Sequence, residues 1–418
     1  MALAIYSALF RLLLPVFAAR LLLRSRKAPT YRQRMLERLG ISEPVAGEPL
    51  WIHAVSVGEV IAIAPLVERL LVAHPEIPIL LTTMTPTGAQ QVTQRFGGQV
   101  AHRYIPWDTP GSVGRFLKRH QPRAGIIVET ELWPNLLQHS KLQSIPLLLV
   151  NARLSKKSLR GYQRFSALTQ VALGSLTHIC AQHQADADRF VALGMPSESV
   201  SVEGSIKFDL SIPQEQLQIG ATWRSALGVD RPVMIAASTH QGEDEIALQA
   251  WNVARVKKPD LLLLLVPRHP ERFDSVVNLA KQFSSKVERR SDNISPSNGT
   301  EIWVGDSLGE MLAFYATADI AFVGGSFSGT GGHNPLEPAA LGKPIIMGPS
   351  RYNFAAISAE LEAAGALFEV KDAHGLAAQA LELLDGPQVA AEAGLRVVQQ
   401  NRGALERLFN RVEQHLLG

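Results

Sequence analysis

FVGGSFSGTGGHNPLEPAALGKPIIMGP, residues 322–349, is where the fold can be read. The apolar run 320–324 reads as a strand, and glycines crowd the turn behind it. Asn334-Pro335-Leu336-Glu337-Pro338 then opens a helix, and 344–347 reads as the next strand. Strand, helix and strand in that order form a βαβ unit, which implies a parallel sheet. Pro335 suits the first turn of the helix. Free N–H groups at that helix start would accept a phosphate, and Glu337 offers two oxygens to two ribose hydroxyls. The stretch is no P-loop, since GxxxxGK[ST] is missing, and no GxGxxG on a first strand.

The same pattern extends outward in both directions. Residues 233–237, 261–266, 302–304, 320–324, 344–347 and 367–370 read as one set of strands. LLLLL at 261–265 has the continuous apolar character of a strand buried on both faces. Residues 50–55, 79–83, 103–106, 125–129, 147–151, 179–182 and 201–203 form an earlier set, with helical patterns at 60–73, 89–95 and 112–119. Pro65 marks a start or kink in the first of those helices. The expectation is an α/β chain of two doubly wound, Rossmann-like domains facing a central cleft, with functional residues just after the strands. Boundaries come from the pattern: an N-terminal helix at 1–24, a first domain at 25–209, a linker at 210–232 and a second domain at 233–418. A single long helical pattern covers 389–417.

Totals agree with this. A chain of 418 residues exceeds one ordinary core, and 46% apolar with 19% charged residues is a globular composition. Cys180 is the single cysteine, so an internal disulfide and a cysteine-based zinc site are excluded. Residues 1–40 hold Arg11, Arg20, Arg24, Arg26, Lys27, Arg32, Arg34 and Arg38 against Glu37, which is 8 − 1 = +7; with +3 overall, the rest carries 3 − 7 = −4. The body therefore lacks the basicity of a nucleic-acid binder. The apolar N-terminus has its charge behind it rather than ahead of it. It reads as an uncleaved anchor or an in-plane interfacial helix, with the rest of the chain in the cytoplasm, the alternative being a soluble core helix.

Five further segments could carry chemistry. In WIHAVSVGEV (51–60), Glu59 opens a helix after a strand. The helix dipole there would keep it ionised, as a general base requires, although many helices begin with a glutamate. In GIIVETELWPN (125–135), Glu129 and Glu131 either face the crevice or cap the next helix. Arg153, Lys156, Lys157 and Arg160 suit an acceptor phosphate or form a solvated helix face. Lys207 in VEGSIKFD comes after the last strand of the first domain, as a cleft residue or an ordinary loop lysine. Arg268, between Pro267 and His269-Pro270, is placed to hold a phosphate bidentately. No HExxH, Cys/His metal spacing, GxSxG or strand-end Asp-x-Asp occurs, so neither a metal nor a cofactor is expected.

Together, HAVSVGEV, VETELWPN, NARLS, GSIKFD, VPRHPERF and the Gly-rich loop leading to HNPLEPAALGKPIIMGP resemble the Kdo transferases, GT-B glycosyltransferases of lipopolysaccharide biosynthesis; Kdo is 3-deoxy-D-manno-octulosonic acid. The resemblance covers nearly the whole chain. It implies metal-independent transfer of Kdo from CMP-Kdo to a lipid A precursor (lipid IVA), with inversion, at the cytoplasmic side of the inner membrane. It implies Glu59 as the base, with Glu129 and Lys207 stabilising the transition state. It also implies CMP contacts at Pro267 and Arg268, at Leu308, Gly309 and Glu310, and at Asn334, Pro335, Leu336 and Glu337. On this reading 25–209 binds the acceptor and 233–418 binds CMP-Kdo.

Rival readings are another membrane-associated GT-B transferase, such as a lipid-linked N-acetylglucosaminyltransferase, a sugar-nucleotide epimerase, and a non-catalytic nucleotide-binding membrane protein. The pairing of SVGE with PRH argues against the first. The second needs no anchor, and the third has no use for Glu59. A nicotinamide oxidoreductase lacks its fingerprint.

Overall fold

The computed structural model describes residues 1–26, 28–292 and 295–417; Lys27 of the basic N-terminal flank lies outside them. The first seven strands are β1 (Leu50–His53), β2 (Ile79–Thr83), β3 (Val100–Tyr104), β4 (Ala124–Val128), β5 (Leu147–Ala152), β6 (His178–Ala181) and β7 (Val200–Val202). They form one parallel sheet in the order β3-β2-β1-β4-β5-β6-β7. The next seven are β8 (Val233–Thr239), β9 (Leu262–Pro267), β10 (Val287–Arg289), β11 (Ile302–Val304), β12 (Ile320–Val323), β13 (Ile345–Met347) and β14 (Leu367–Glu369). They form a second parallel sheet, β10-β11-β9-β8-β12-β13-β14. The central strands β1, β4 and β9 are buried throughout and β8 at all but Ser238, which explains their mostly apolar text.

Each sheet reverses its winding once, between β1 and β4 in the first and between β8 and β12 in the second. At such a switch point the two outgoing connections leave toward opposite faces and open a crevice at the carboxyl ends of the strands. The segments after β1, β4, β8 and β12 are the ones singled out from sequence or placed beside them.

Two compact units contain these sheets, and their limits correct the sequence reading. One is Met1–Asp209 with Arg402–Gly418, and the other is Leu210–Asn401. The expected linker at 210–232 contains helix Gln214–Leu227, which buries Gly220, Trp223 and Leu227 within the second unit. A Cβ on Gly220 would stand 2.6 Å from the Ala316 methyl and 2.7 Å from the Ala313 carbonyl, so only glycine permits this approach.

The expected helix over 389–417 is broken. Helix Gln388–Asn401 ends, Gly403 takes φ +85°, and helix Ala404–Val412 starts afresh in the first unit. Its Ala404, Leu408, Phe409 and Val412 join the core that holds β1, β2 and β4. Asp209 caps it, accepting from Gly403 N and Leu405 N at 2.6 Å each.

Strand β3 starts three residues before the expected 103–106, and β10 went unseen. Val287-Glu288-Arg289 carries charge because it is a half-exposed edge strand, where side chains need not be apolar. Helix Val57–Ala73 begins before Pro65 and runs through it. The N-terminal helix Ala2–Arg24 has 23 residues, runs through Pro15 and is long and apolar enough to cross a bilayer. It is tied to the first unit by Ser7 Oγ, which donates to Asn135 Oδ1 at 2.9 Å.

Candidate active site

Glu59 is the third residue of helix Val57–Ala73, and Ser56 is its N-cap. The Ser56 hydroxyl accepts from Glu59 N and donates to Glu59 Oε1 at 2.8 Å; Val55 N donates to Oε2 at 2.8 Å. This is a variant of the capping box, and it fixes the carboxylate just beyond β1 at the switch point. The expected lowered pKa is reversed. Burial raises the Glu59 carboxyl to about 7, outweighing the hydrogen bonds from Val55 and Ser56, and the charges of Glu129 and Glu131 add to the rise. Desolvation by the surrounding core exceeds what one helix end supplies.

Glu129 leaves β4 on the other side of the switch point, with φ +60°. A glutamate in the left-handed region costs of order 1 kcal/mol, a strain characteristic of functional sites. Its Oε1 lies 3.6 Å from Lys207 Nζ. Lys207 is held by a one-turn helix, Ile206–Phe208, whose flanking side chains are buried. Glu129 and Lys207 thus form an ion pair. Glu131 accepts from Trp133 Nε1 at 2.6 Å, and burial raises its pKa.

Sequence reasoning passed over Asn151 in the NARLS motif. It is the penultimate residue of β5, with φ +50° and 1% exposure, and neither Oδ1 nor Nδ2 has a hydrogen-bond partner. An unsatisfied buried amide is rare. The detectable signal was an asparagine at a strand's carboxyl end, where the left-handed conformation favours that residue type.

In the second unit the Gly-rich loop after β12 is organised by a residue that the sequence reading missed. Glu243 is 1% exposed and opens helix Glu243–Ala254. Its carboxylate accepts from Gly325 N (2.7 Å), Phe327 N (2.8 Å), Ser328 N (3.3 Å) and His240 N (2.9 Å). Gly242-Glu243 comes after β8 as Gly58-Glu59 comes after β1, and that parallel was the available signal. His240 Nε2 meets His333 Nε2 at 2.8 Å with the rings stacked, and His269 lies edge-on to His240 at 5.3 Å. Burial, with the charges of His240, Arg268 and His269, lowers His333 to about 4, so it is neutral at physiological pH.

Arg268 is exposed beyond β9, its N–H donating to Thr239 O at 3.0 Å. Its charge depresses the pKa of His333, and it partly offsets the burial that raises Glu337. Arg268, the histidines and Glu337 therefore share one end of the second sheet. Asn334 Nδ2 donates to Glu337 Oε1 at 3.2 Å, and Asn334 Oδ1 accepts from Leu336 N at 3.0 Å. The helix here is only Leu336–Ala340, with Pro335 as its N-cap rather than its first turn. Five residues sum to little dipole, so the positive field falls to Arg268.

Pro267 is buried at the end of β9. Leu308 is exposed and Gly309 left-handed (φ +83°), while Glu310 accepts from Arg290 Nη2 at 2.8 Å and pairs with Ser307. Arg153, Lys156, Lys157 and Arg160 are all exposed, the last three on helix Lys156–Arg164, which only half-buries Leu159 and Tyr162 against the core. Among the described residues no three His, Cys, Asp or Glu side chains are grouped to hold a metal.

A family model described as 3-deoxy-D-manno-octulosonic-acid transferase matches residues 33–210, and one described as glycosyl transferases group 1 matches 230–400. A 3-deoxy-D-manno-octulosonic acid transferase of Haemophilus influenzae is 42% identical over 418 residues, with 98% of each chain covered. The Bordetella pertussis protein of the same name is 39% identical over 380 residues, covering 88% of this chain and 87% of its own. The chain belongs to the 3-deoxy-D-manno-octulosonic acid transferase family. It is a glycosyltransferase, which removes the oxidoreductase and non-catalytic readings. The crystal structure of UDP-GlcNAc 2-epimerase from Neisseria meningitidis is similar over 89% of this chain and all of its own, with TM-score 0.58 and 14% identity. That likeness is one of fold: two parallel sheets of the GT-B kind.

Proposed function

We propose that this Kdo transferase takes Kdo from CMP-Kdo and attaches it to the lipid A precursor lipid IVA, releasing CMP, in lipopolysaccharide biosynthesis at the cytoplasmic face of the inner membrane. The observation that carries the reading is Glu59, a buried carboxyl at the β1/β4 switch point with a pKa of about 7. A base works best when its pKa lies near the operating pH. The acceptor hydroxyl gives its proton to Glu59 as its oxygen attacks the anomeric carbon of Kdo. The bond from that carbon to the CMP phosphate oxygen breaks on the opposite face, which inverts the centre.

Arg268 takes the negative charge of the departing phosphate. Asn334, Pro335, Leu336 and Glu337 hold the ribose end, and Pro267, Leu308, Gly309 and Glu310 complete the CMP site. Lys207, paired with Glu129, meets the carboxylate of Kdo. Arg153, Lys156, Lys157 and Arg160 meet phosphate on the lipid. The N-terminal helix with its basic flank keeps the first unit at the membrane surface. The test is incubation with CMP-Kdo and tetra-acylated lipid A precursor, read by mass. The expected product carries added Kdo, and CMP is released only when acceptor is present. CMP release without acceptor, or an unmodified lipid, would refute the reading.

A further inference from the structure

A cavity of about 310 Å³ lies between the N-terminal helix and the body of the first unit. That is within the size of small-ligand pockets, roughly 300–1,000 Å³. Phe10, Phe17 and Leu21 line it from one face of the helix, and Met84, Trp107 and Trp133 line it from the body. All six are apolar or aromatic, so the cavity suits hydrocarbon.

Its other lining is cationic: Arg20 and Arg24 from the exposed end of the helix, and Arg38. Arg38 is 2% exposed, and among the described residues no carboxylate lies within ion-pair distance of it. The neighbouring Glu37 is taken by Arg34 and by Tyr104 N. Arg38 donates from Nη2 to Met84 O at 2.9 Å and lies over the Tyr104 ring, while its Nε has no partner. Burying a charge without a counter-ion is costly, and this charge lines a cavity beside two more arginines. An anion attached to an apolar chain would meet both kinds of lining.

The cavity also adjoins the proposed base. Met84 N donates to Val55 O at 3.1 Å, and Val55 N donates to Glu59. Trp133 donates to Glu131, whose charge acts on Glu59. Along these bonds only Val55 stands between the cavity-lining Met84 and Glu59. We propose that this cavity is the acceptor's own subsite, in which one acyl chain of the lipid lies between Phe17, Leu21, Trp107 and Trp133 while Arg20, Arg24 and Arg38 hold an anionic group of the same molecule. This rests on the lipid-acceptor reading above and adds where the chain and the charge are held.

Two measurements on the full-length enzyme test it. In the first, lipid A precursor with brominated acyl chains is added in detergent and tryptophan fluorescence is followed. Contact with bromine quenches the emission of Trp107 and Trp133, and the W107F/W133F double variant should lose most of that quenching. This readout needs no turnover, so it stands even if the Kdo-transfer reading fails. In the second, L21W fills the cavity from the helix side without touching the core of the first unit. It should raise KM at least tenfold more for tetra-acylated than for de-acylated precursor, with kcat for the two changing in parallel. Equal quenching in the double variant, or equal KM effects on both acceptors, would overturn the proposal. So would quenching by brominated phosphatidylglycerol that lipid A precursor cannot displace, since the cavity would then hold bulk phospholipid.

Discussion

Opposing forces meet on Glu59. Burial and two neighbouring carboxylates favour the proton, while Val55 N–H and the Ser56 hydroxyl favour the charge. A base must be ionised to act, so kcat/KM should climb with pH through a limb centred near 7, falling about tenfold per unit below it. Ser56→Ala removes one bond to the charged form and should move that limb to higher pH; a limb unchanged in S56A would mean another group titrates. Glu59→Gln should retain CMP-Kdo binding and lower turnover by roughly 100-fold or more, measured under single-turnover conditions. At the donor end, Arg268 has no carboxylate partner among the described residues and projects beyond β9. Arg268→Ala should weaken CMP binding by about 1.5–3 kcal/mol, the scale of a charged hydrogen bond, read by calorimetry.

Among the elements, the Gly-rich loop after β12 has its shape imposed from outside. Glu243 gathers three of its N–H groups from the start of the helix after β8. Glu243→Ala removes the acceptor of all three and leaves the buried Gly325 N–H unsatisfied, at about 1–3 kcal/mol. Amide exchange at Gly325, Phe327 and Ser328 should then speed up and CMP affinity should fall at least tenfold, while the first unit's exchange pattern stays as it was. The C-terminal helix is another element placed by its partners. Leu408→Ala should destabilise the first unit by about 2–5 kcal/mol, the usual range for a buried leucine, and leave CMP binding by the second unit intact. Loss of CMP binding with an undisturbed first unit would instead support the sequence-based assignment of 402–418.

For the whole molecule, charge and hydropathy are sorted along the chain: +7 in residues 1–40 and −4 in the remainder. Removing residues 1–24 should weaken the protein's binding to vesicles containing anionic lipid, as measured by flotation, while CMP affinity stays within twofold of the full chain. Basic groups near an anionic surface each contribute about 1 kcal/mol. Added salt should therefore weaken the binding of a truncation that keeps Arg26 to Arg38 but lacks the apolar helix, more than it weakens the full-length chain.

Thirteen of fourteen strands, the parallel winding and the N-terminal helix were legible in the text, because each is a local pattern: apolar runs of strand length, glycine at turns, helical spacing between. The positions of Glu59 beyond β1 and Arg268 beyond β9 were legible too, since the carboxyl end of a parallel strand is a place that a pattern can mark. Edge strand β10 was not, because an edge need not be apolar. The return of Arg402–Gly418 to the first unit was not, because a helical pattern says which face is apolar and not which core receives it. The raised pKa of Glu59, the pairing of Glu129 with Lys207, the grip of Glu243 on its loop and the burial of Arg38 all depend on desolvation and on neighbours far away in sequence. Those quantities exist only once the chain has packed.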